Sequence, residues 1–121
     1  MHPKESIMHS NLLAYNDHEI FSSEESISAY REAKLKGVKK NISFIRENFD
    51  KKLRVLEIGS GNSKFLYALE LENMLDEGYG FEISNSRNRF ADKWKQDLGI
   101  ENVHNIEENI LAFLKQKGLI Y

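Results

Sequence analysis

Three short stretches of this chain carry residue types that can hold a nucleotide-like ligand. Gly59-Ser60-Gly61 follows an apolar run through Val55, Leu56 and Ile58 and leads into a helical pattern. A strand, a tight glycine turn and a helix start form a ligand cradle, because glycines accept positive φ and let backbone N–H groups approach the bound molecule. Glu82 closes a second apolar run, and a carboxylate there can accept hydrogen bonds from both hydroxyls of a ribose. Glu108-Asn109-Ile110 follows a third run. An Asn amide can bond an adenine edge, and Ile110 can pack on the ring.

Glu57, two residues before the first glycine, narrows the choice of ligand. The dinucleotide fingerprint Gly-x-Gly-x-x-Gly would put its third glycine where this chain has Lys64. A pyrophosphate would also bring negative charge against Glu57. S-adenosyl-L-methionine instead presents an ammonium and a sulfonium, which an acidic residue favours. Gly61-Asn62-Ser63-Lys64 lacks the Gly-Lys-Ser/Thr order of a P-loop. S-adenosyl-L-methionine is the expected cofactor, and NAD is the weaker alternative.

The elements that must position these residues are legible in outline. Residues 1–22 are polar and irregular and read as an N-terminal arm; residues 23–121 read as one domain. Ser22 and Glu25 stand at capping-box spacing before a long helical pattern. Its apolar stripe runs through Leu35, Val38, Ile42, Ile45 and Phe49, with Gly37 as a point where the helix bends or breaks. Leu53–Ile58 predict a first strand, apolar on both faces. A helix follows from Asn62 to about Glu72, then a second strand over Gly78–Ile83. Ser84 caps a helix with Phe90, Trp94 and Leu98 on its stripe, and Gly99 closes it. Val103–Ile106 predict a third strand and Ile110–Leu114 a last short helix, with Leu119–Tyr121 opening a fourth strand. Alternating strands and helices imply a parallel sheet with right-handed crossovers, in the order 3-2-1 of half a doubly wound sheet. The three stretches then fall at carboxyl ends of strands, where such sheets bind ligands.

With those residues in place, the chain resembles the N-terminal, cofactor-binding half of a class I (Rossmann-like) S-adenosylmethionine-dependent methyltransferase. Val55 to Ser63 resembles that family's first motif, with Ser63 standing where a third glycine is usual. Gly80-Phe81-Glu82-Ile83-Ser84 resembles the second, with Glu82 as the ribose-binding acid. Ile106 to Leu111 resembles the third, with Asn109 where an Asp commonly meets the adenine amino group and Glu108 beside it. The resemblance covers about residues 24–121 and implies an α/β, three-layer Rossmann-like fold with a truncated parallel sheet and an N-terminal helical segment. It implies a methyltransferase, or the cofactor-binding part of one, acting on an unknown acceptor. The implied cofactor-binding residues are Glu57, Gly59, Ser60, Gly61, Glu82, Ile83, Glu108, Asn109 and Ile110. No catalytic residue is assigned. The family sheet has seven strands, so a sheet that stops at the fourth leaves the first strand as an open edge. The expected cover is a second copy, making a homodimer, or a C-terminal half. The alternative is a non-catalytic cofactor-binding or protein-interaction module on the same fold.

Composition excludes other classes. The 121 residues suffice for one domain with a core, and 17 basic against 19 acidic residues leave a net charge of −2, no nucleic-acid or anionic-membrane footprint. Lys34, Lys36, Lys39 and Lys40 read as a solvated helix face. The chain has no cysteine, which removes disulfides, thiolate metal sites and cysteine nucleophiles. His2, His9, His18 and His104 lack metal-ligand spacing, so no metal is expected. Without a signal-peptide pattern or a membrane-length apolar run, a cytoplasmic protein is expected. Tyr15, Tyr30 and Arg31 are read as packing or surface residues, although an aromatic and a base there can meet a cofactor carboxylate.

Overall fold

The computed structural model describes residues 23–119. Their elements are α1 (Glu24–Gly37), α2 (Lys39–Asn48), β1 (Leu53–Ile58), α3 (Lys64–Leu71), β2 (Leu75–Phe81), α4 (Asn85–Leu98), β3 (Val103–Ile106) and α5 (Ile110–Gln116). The three strands form one parallel sheet in the order β1-β2-β3, as the alternation of elements requires. This is the expected 3-2-1 arrangement, consistent with a Rossmann-like α/β fold of three described strands. The expected fourth strand lies largely outside the described residues; Leu119, the last one inside, is in a bend.

Side chains alternate across the sheet. Gly78 and Gly80 open onto one face, where Leu66 of α3 is the neighbour that a side chain there would meet. On this face lies the core: Leu66, Tyr67, Leu69, Leu75, Trp94 and Val103 are almost fully buried. Tyr67 and Phe90 each meet Trp94 edge-on, at 5.3 and 6.1 Å between ring centroids. α1 closes the layer. Tyr30 packs edge-on against Phe90, and Arg31 lies over Phe90 and Trp94 while pairing with Asp97 at 2.9 Å. Both residues have the packing role the sequence favoured; Tyr15 lies outside the described residues.

The opposite face is covered only in part. α5 lays Phe113 against Phe81, and Tyr79 stacks on His104, which bonds Glu77. Leu56 and Ile58, on the same face of β1, remain 54% and 66% exposed. β1 is the edge of the three described strands, and the expected cover on both its faces is not found: only the α3 side is packed.

Ser23 caps α1, its hydroxyl accepting the Ser26 N–H, while Ser22 lies outside the described residues. The first helical stretch breaks after Gly37, where a bend or break was expected, and Val38 both ends α1 and begins α2. Other boundaries differ from expectation: α3 starts at Lys64 rather than Asn62, and β2 ends at Phe81, so Glu82 and Ile83 follow the strand. Phe49 caps the end of α2 and is 46% exposed, so the buried stripe stops at Ile45. β2 starts at Leu75, three residues early: the register with β1 shifts at exposed Asp76, which has no partner there, and Glu77 bonds His104 on the partly covered face. Among the described residues no helix is long and apolar enough to cross a membrane.

Candidate functional site

The loop after β1 reverses direction through three residues with positive φ: Gly59 (73°), Gly61 (61°) and Ser63 (65°). The first two need glycine to avoid Cβ strain. The loop is drawn against the end of β2, where the Phe81 carbonyl accepts both the Gly59 and Ser60 N–H groups, at 2.7 and 3.2 Å. Contact is so close that a Cβ on Gly80 would fall 2.6 Å from the Ser60 hydroxyl and 2.8 Å from its Cβ. Gly80 is therefore a site residue in its own right, and its signal in the sequence was a glycine two positions before the strand-end acid.

Glu82 ties the loop to the second strand. It is 6% exposed; Oε1 accepts the Gly61 N–H at 2.8 Å and Oε2 the Ser84 N–H at 3.0 Å. The Arg87 guanidinium lies 3.9 Å from Oε1. Each oxygen keeps lone-pair capacity for a further donor. The Glu82 carbonyl is held as well, accepting from the Asn88 amide at 2.7 Å. The strand-end acid thus has a fixed orientation before any ligand arrives.

Glu57 stands below the loop on β1. Its Oε1 is buried without a hydrogen-bond partner. Burial pushes its carboxyl up to about 7, with the Lys64 ammonium pulling part of the way back. Ser60 Oγ and Asn62 Nδ2 are likewise buried and unpartnered. Three unsatisfied polar atoms around one glycine loop are what a site awaiting a polar ligand looks like, since each is costly to leave unmade. Asn62 Oδ1 accepts the Lys64 N–H at 3.1 Å and so starts α3.

The third stretch follows β3. Asn109 caps α5: its Oδ1 accepts the Leu111 and Ala112 N–H groups at 2.8 and 3.3 Å. Its side-chain oxygen is thus engaged by the start of the helix, and Nδ2 is the donor this side chain retains. Ile83, next to Glu82 in the chain, is 70% exposed, and Glu108 and Ile110, which flank Asn109, are half-buried. Asn85, which opens α4, bonds both oxygens of Glu107 at 3.1 and 3.3 Å and links the two loops.

One group of residues was missed altogether. Asn105 on β3 accepts from the Ser63 hydroxyl and donates to Tyr67 Oη at 2.9 Å and Asp92 at 3.0 Å. Tyr67 Oη donates onward to the Ala91 carbonyl at 2.6 Å. Burial, above all, pushes the Tyr67 phenol up to about 12, so it remains a donor at any working pH. Among the described residues no group of acidic, His or Cys side chains is arranged to hold a metal ion.

No protein-family model matches the sequence, and no curated protein matches it. Solved structures do. The PH0226 protein of Pyrococcus horikoshii superimposes with a TM-score of 0.55 at 22% identity, covering 84% of this chain and 39% of that one. YjhP of Escherichia coli gives 0.53 at 21%, covering 79% and 36%. TrmK of M. capricolum, solved with its natural cofactor product S-adenosyl-homocysteine, gives 0.53 at 18%, covering 66% and 36%. The chain spans little more than a third of the length of these structures. At such identities the likeness shows the fold, and at that level the resemblance to class I methyltransferases is borne out.

Proposed function

We propose that this chain binds S-adenosyl-L-methionine and forms the cofactor-binding part of a methyltransferase. The observation that carries the reading is that two acids flank one glycine loop, Glu57 on the strand before it and Glu82 just past the end of the neighbouring strand. Glu82, oriented by the Gly61 and Ser84 amides, offers spare acceptor capacity to a ribose diol. Glu57, half-buried with its Oε1 unpartnered, offers a carboxylate to a cation. An arriving ammonium stabilises the charged form of Glu57, whereas an arriving pyrophosphate would force it neutral. The site's own asymmetry therefore supports a cationic cofactor over NAD.

The remaining groups fit the same molecule. Gly59 has no atom within 4 Å of the position a Cβ would take, so the loop leaves open space on that side. Ile83 and Ile110 supply apolar surface for a base, and the Asn109 amide a donor for its edge. S-adenosyl-L-methionine, when bound, supplies a methyl group made electrophilic by its sulfonium. What the chain's residues do is bind and orient it; transfer between oriented partners needs little acid–base help. That the similarly folded TrmK structure holds S-adenosyl-homocysteine supports a cofactor of this kind.

A second reading, binding without transfer, is favoured by one observation. The polar side chains described at these strand ends, Glu82, Asn85 and Asn109, bond to the loops and helix starts beside them. Titration with S-adenosyl-homocysteine and NAD, followed by transfer assays with tritiated S-adenosyl-L-methionine, separates the readings. Binding with transfer supports the enzyme, binding without it supports the module, and tighter binding of NAD overturns both.

A further inference from the structure

We infer that Asn105 is a positioning residue for the glycine loop, holding Ser63 in the left-handed conformation that a third glycine would adopt unaided. The binding consequence rests on the cofactor reading above; the tether itself rests on geometry alone. Ser63 is fully buried with φ 65° and ψ 24°, a region where an L-residue is strained because its Cβ crowds the following carbonyl. Such a residue persists only where its surroundings over-determine it. Two of its bonds are open to any residue: its N–H donates to the Ser60 carbonyl at 2.9 Å, and its carbonyl accepts from the Tyr67 N–H at 3.0 Å. The third, from its hydroxyl to Asn105 Oδ1, is particular to this pair.

Asn105 can accept only if its amide is held one way round. The structure holds it so. Its Nδ2 faces Tyr67 Oη, whose own proton goes to the Ala91 carbonyl, and the Asp92 carboxylate. Turned over, its oxygen would confront Asp92. The chain of donors therefore runs in a single direction through Ser63, Asn105, Tyr67 and Ala91, tying the loop to β3, α3 and α4. Register gives the reach: Glu57, Gly80 and Asn105 are paired in one row across the sheet, at the foot of the loop. Asn105 thus sets where α3 begins relative to Gly61 without being one of the groups assigned to the ligand.

The test is a mutant cycle read by calorimetry with S-adenosyl-homocysteine and by amide exchange in the free chain. Asn105→Ala and Ser63→Ala are each expected to weaken binding about tenfold and to speed exchange at Ser60, Gly61 and Ser63. Adding Ser63→Gly to Asn105→Ala is expected to restore most of the affinity, because glycine takes the left-handed conformation without a tether. A purely structural Asn105 would lower thermal stability without that rescue. Binding within twofold of the parent in Asn105→Ala, or no recovery with Ser63→Gly, overturns the inference. If Asn105→Ala fails to fold, Ser63→Ala against Ser63→Gly decides it: equal affinities overturn it, and a tighter glycine variant supports it. A parent that does not bind removes the cofactor reading, while faster loop exchange in Ser63→Ala than in Ser63→Gly still supports the tether and equal exchange overturns it.

Discussion

The Glu82 carboxylate accepts the Gly61 backbone N–H at 2.8 Å, joining the end of the second strand to the turn that follows the first. The same side chain that is proposed to clamp a ribose also fixes the loop beneath the ligand. Glu82→Ala removes both, so binding of S-adenosyl-homocysteine should weaken by about 1.5–3 kcal/mol, the range of charged hydrogen bonds. The two orphaned amides should also cost stability, seen as a lower midpoint in urea. Unchanged affinity in a folded Glu82→Ala chain would remove Glu82 from the site.

Glu57 gives a pH signature. Its folded-state value of about 7 lies above its ordinary 4.5, so the folded chain holds this proton more tightly than the unfolded chain. Its contribution to stability is full below the ordinary value and is lost as pH rises through about 7. Ligand binding runs the other way, because the carboxylate attracts a cation only once ionised. Thermal melts should fall, and affinity for S-adenosyl-homocysteine rise, as pH passes about 7, and Glu57→Gln should flatten both trends. Identical pH profiles for parent and variant would contradict the assignment.

Gly80 should tolerate no side chain while Ser60 is opposite. A Cβ there would sit 2.6–2.8 Å from Ser60 side-chain atoms. Gly80→Ala should cost about 1–3 kcal/mol by overpacking. Ser60→Gly in the same chain should recover much of that loss, measured by urea denaturation. An additive double variant would show that the strain lies elsewhere.

Asn109 should matter twice. As the N-cap of α5 it is worth about 1 kcal/mol, which Asn109→Ala should remove, with faster exchange at Leu111 and Ala112. Asn109→Asp keeps the cap and discards the amide donor. It should therefore retain stability and weaken nucleotide binding, read by calorimetry; retained affinity would leave Asn109 with the cap alone.

Sequence and structure agree where the signal is local. The apolar run into Gly59-Ser60-Gly61, the Ser84 cap and the Gly99 stop each lie within a few residues, and each stands as read. The strand order followed from element alternation. The misses are relationships between distant positions. Ser63 and Asn105 are 42 residues apart, and Asn105 and Tyr67 are 38 apart, so no spacing rule links them. Gly80 looks like any strand glycine because the side chain it avoids, Ser60, is on the loop after another strand. The start of β2 is hidden because the charges at Asp76 and Glu77 resemble a loop, whereas one falls at a register shift and the other pairs with His104, 27 residues away.

Calorimetric titration of the full chain with S-adenosyl-homocysteine, and in parallel with NAD, tests the central claim most directly. The account predicts saturable one-site binding of S-adenosyl-homocysteine that weakens in Glu82→Ala, and weaker or no binding of NAD. No heat with S-adenosyl-homocysteine, or tighter binding of NAD, would contradict it.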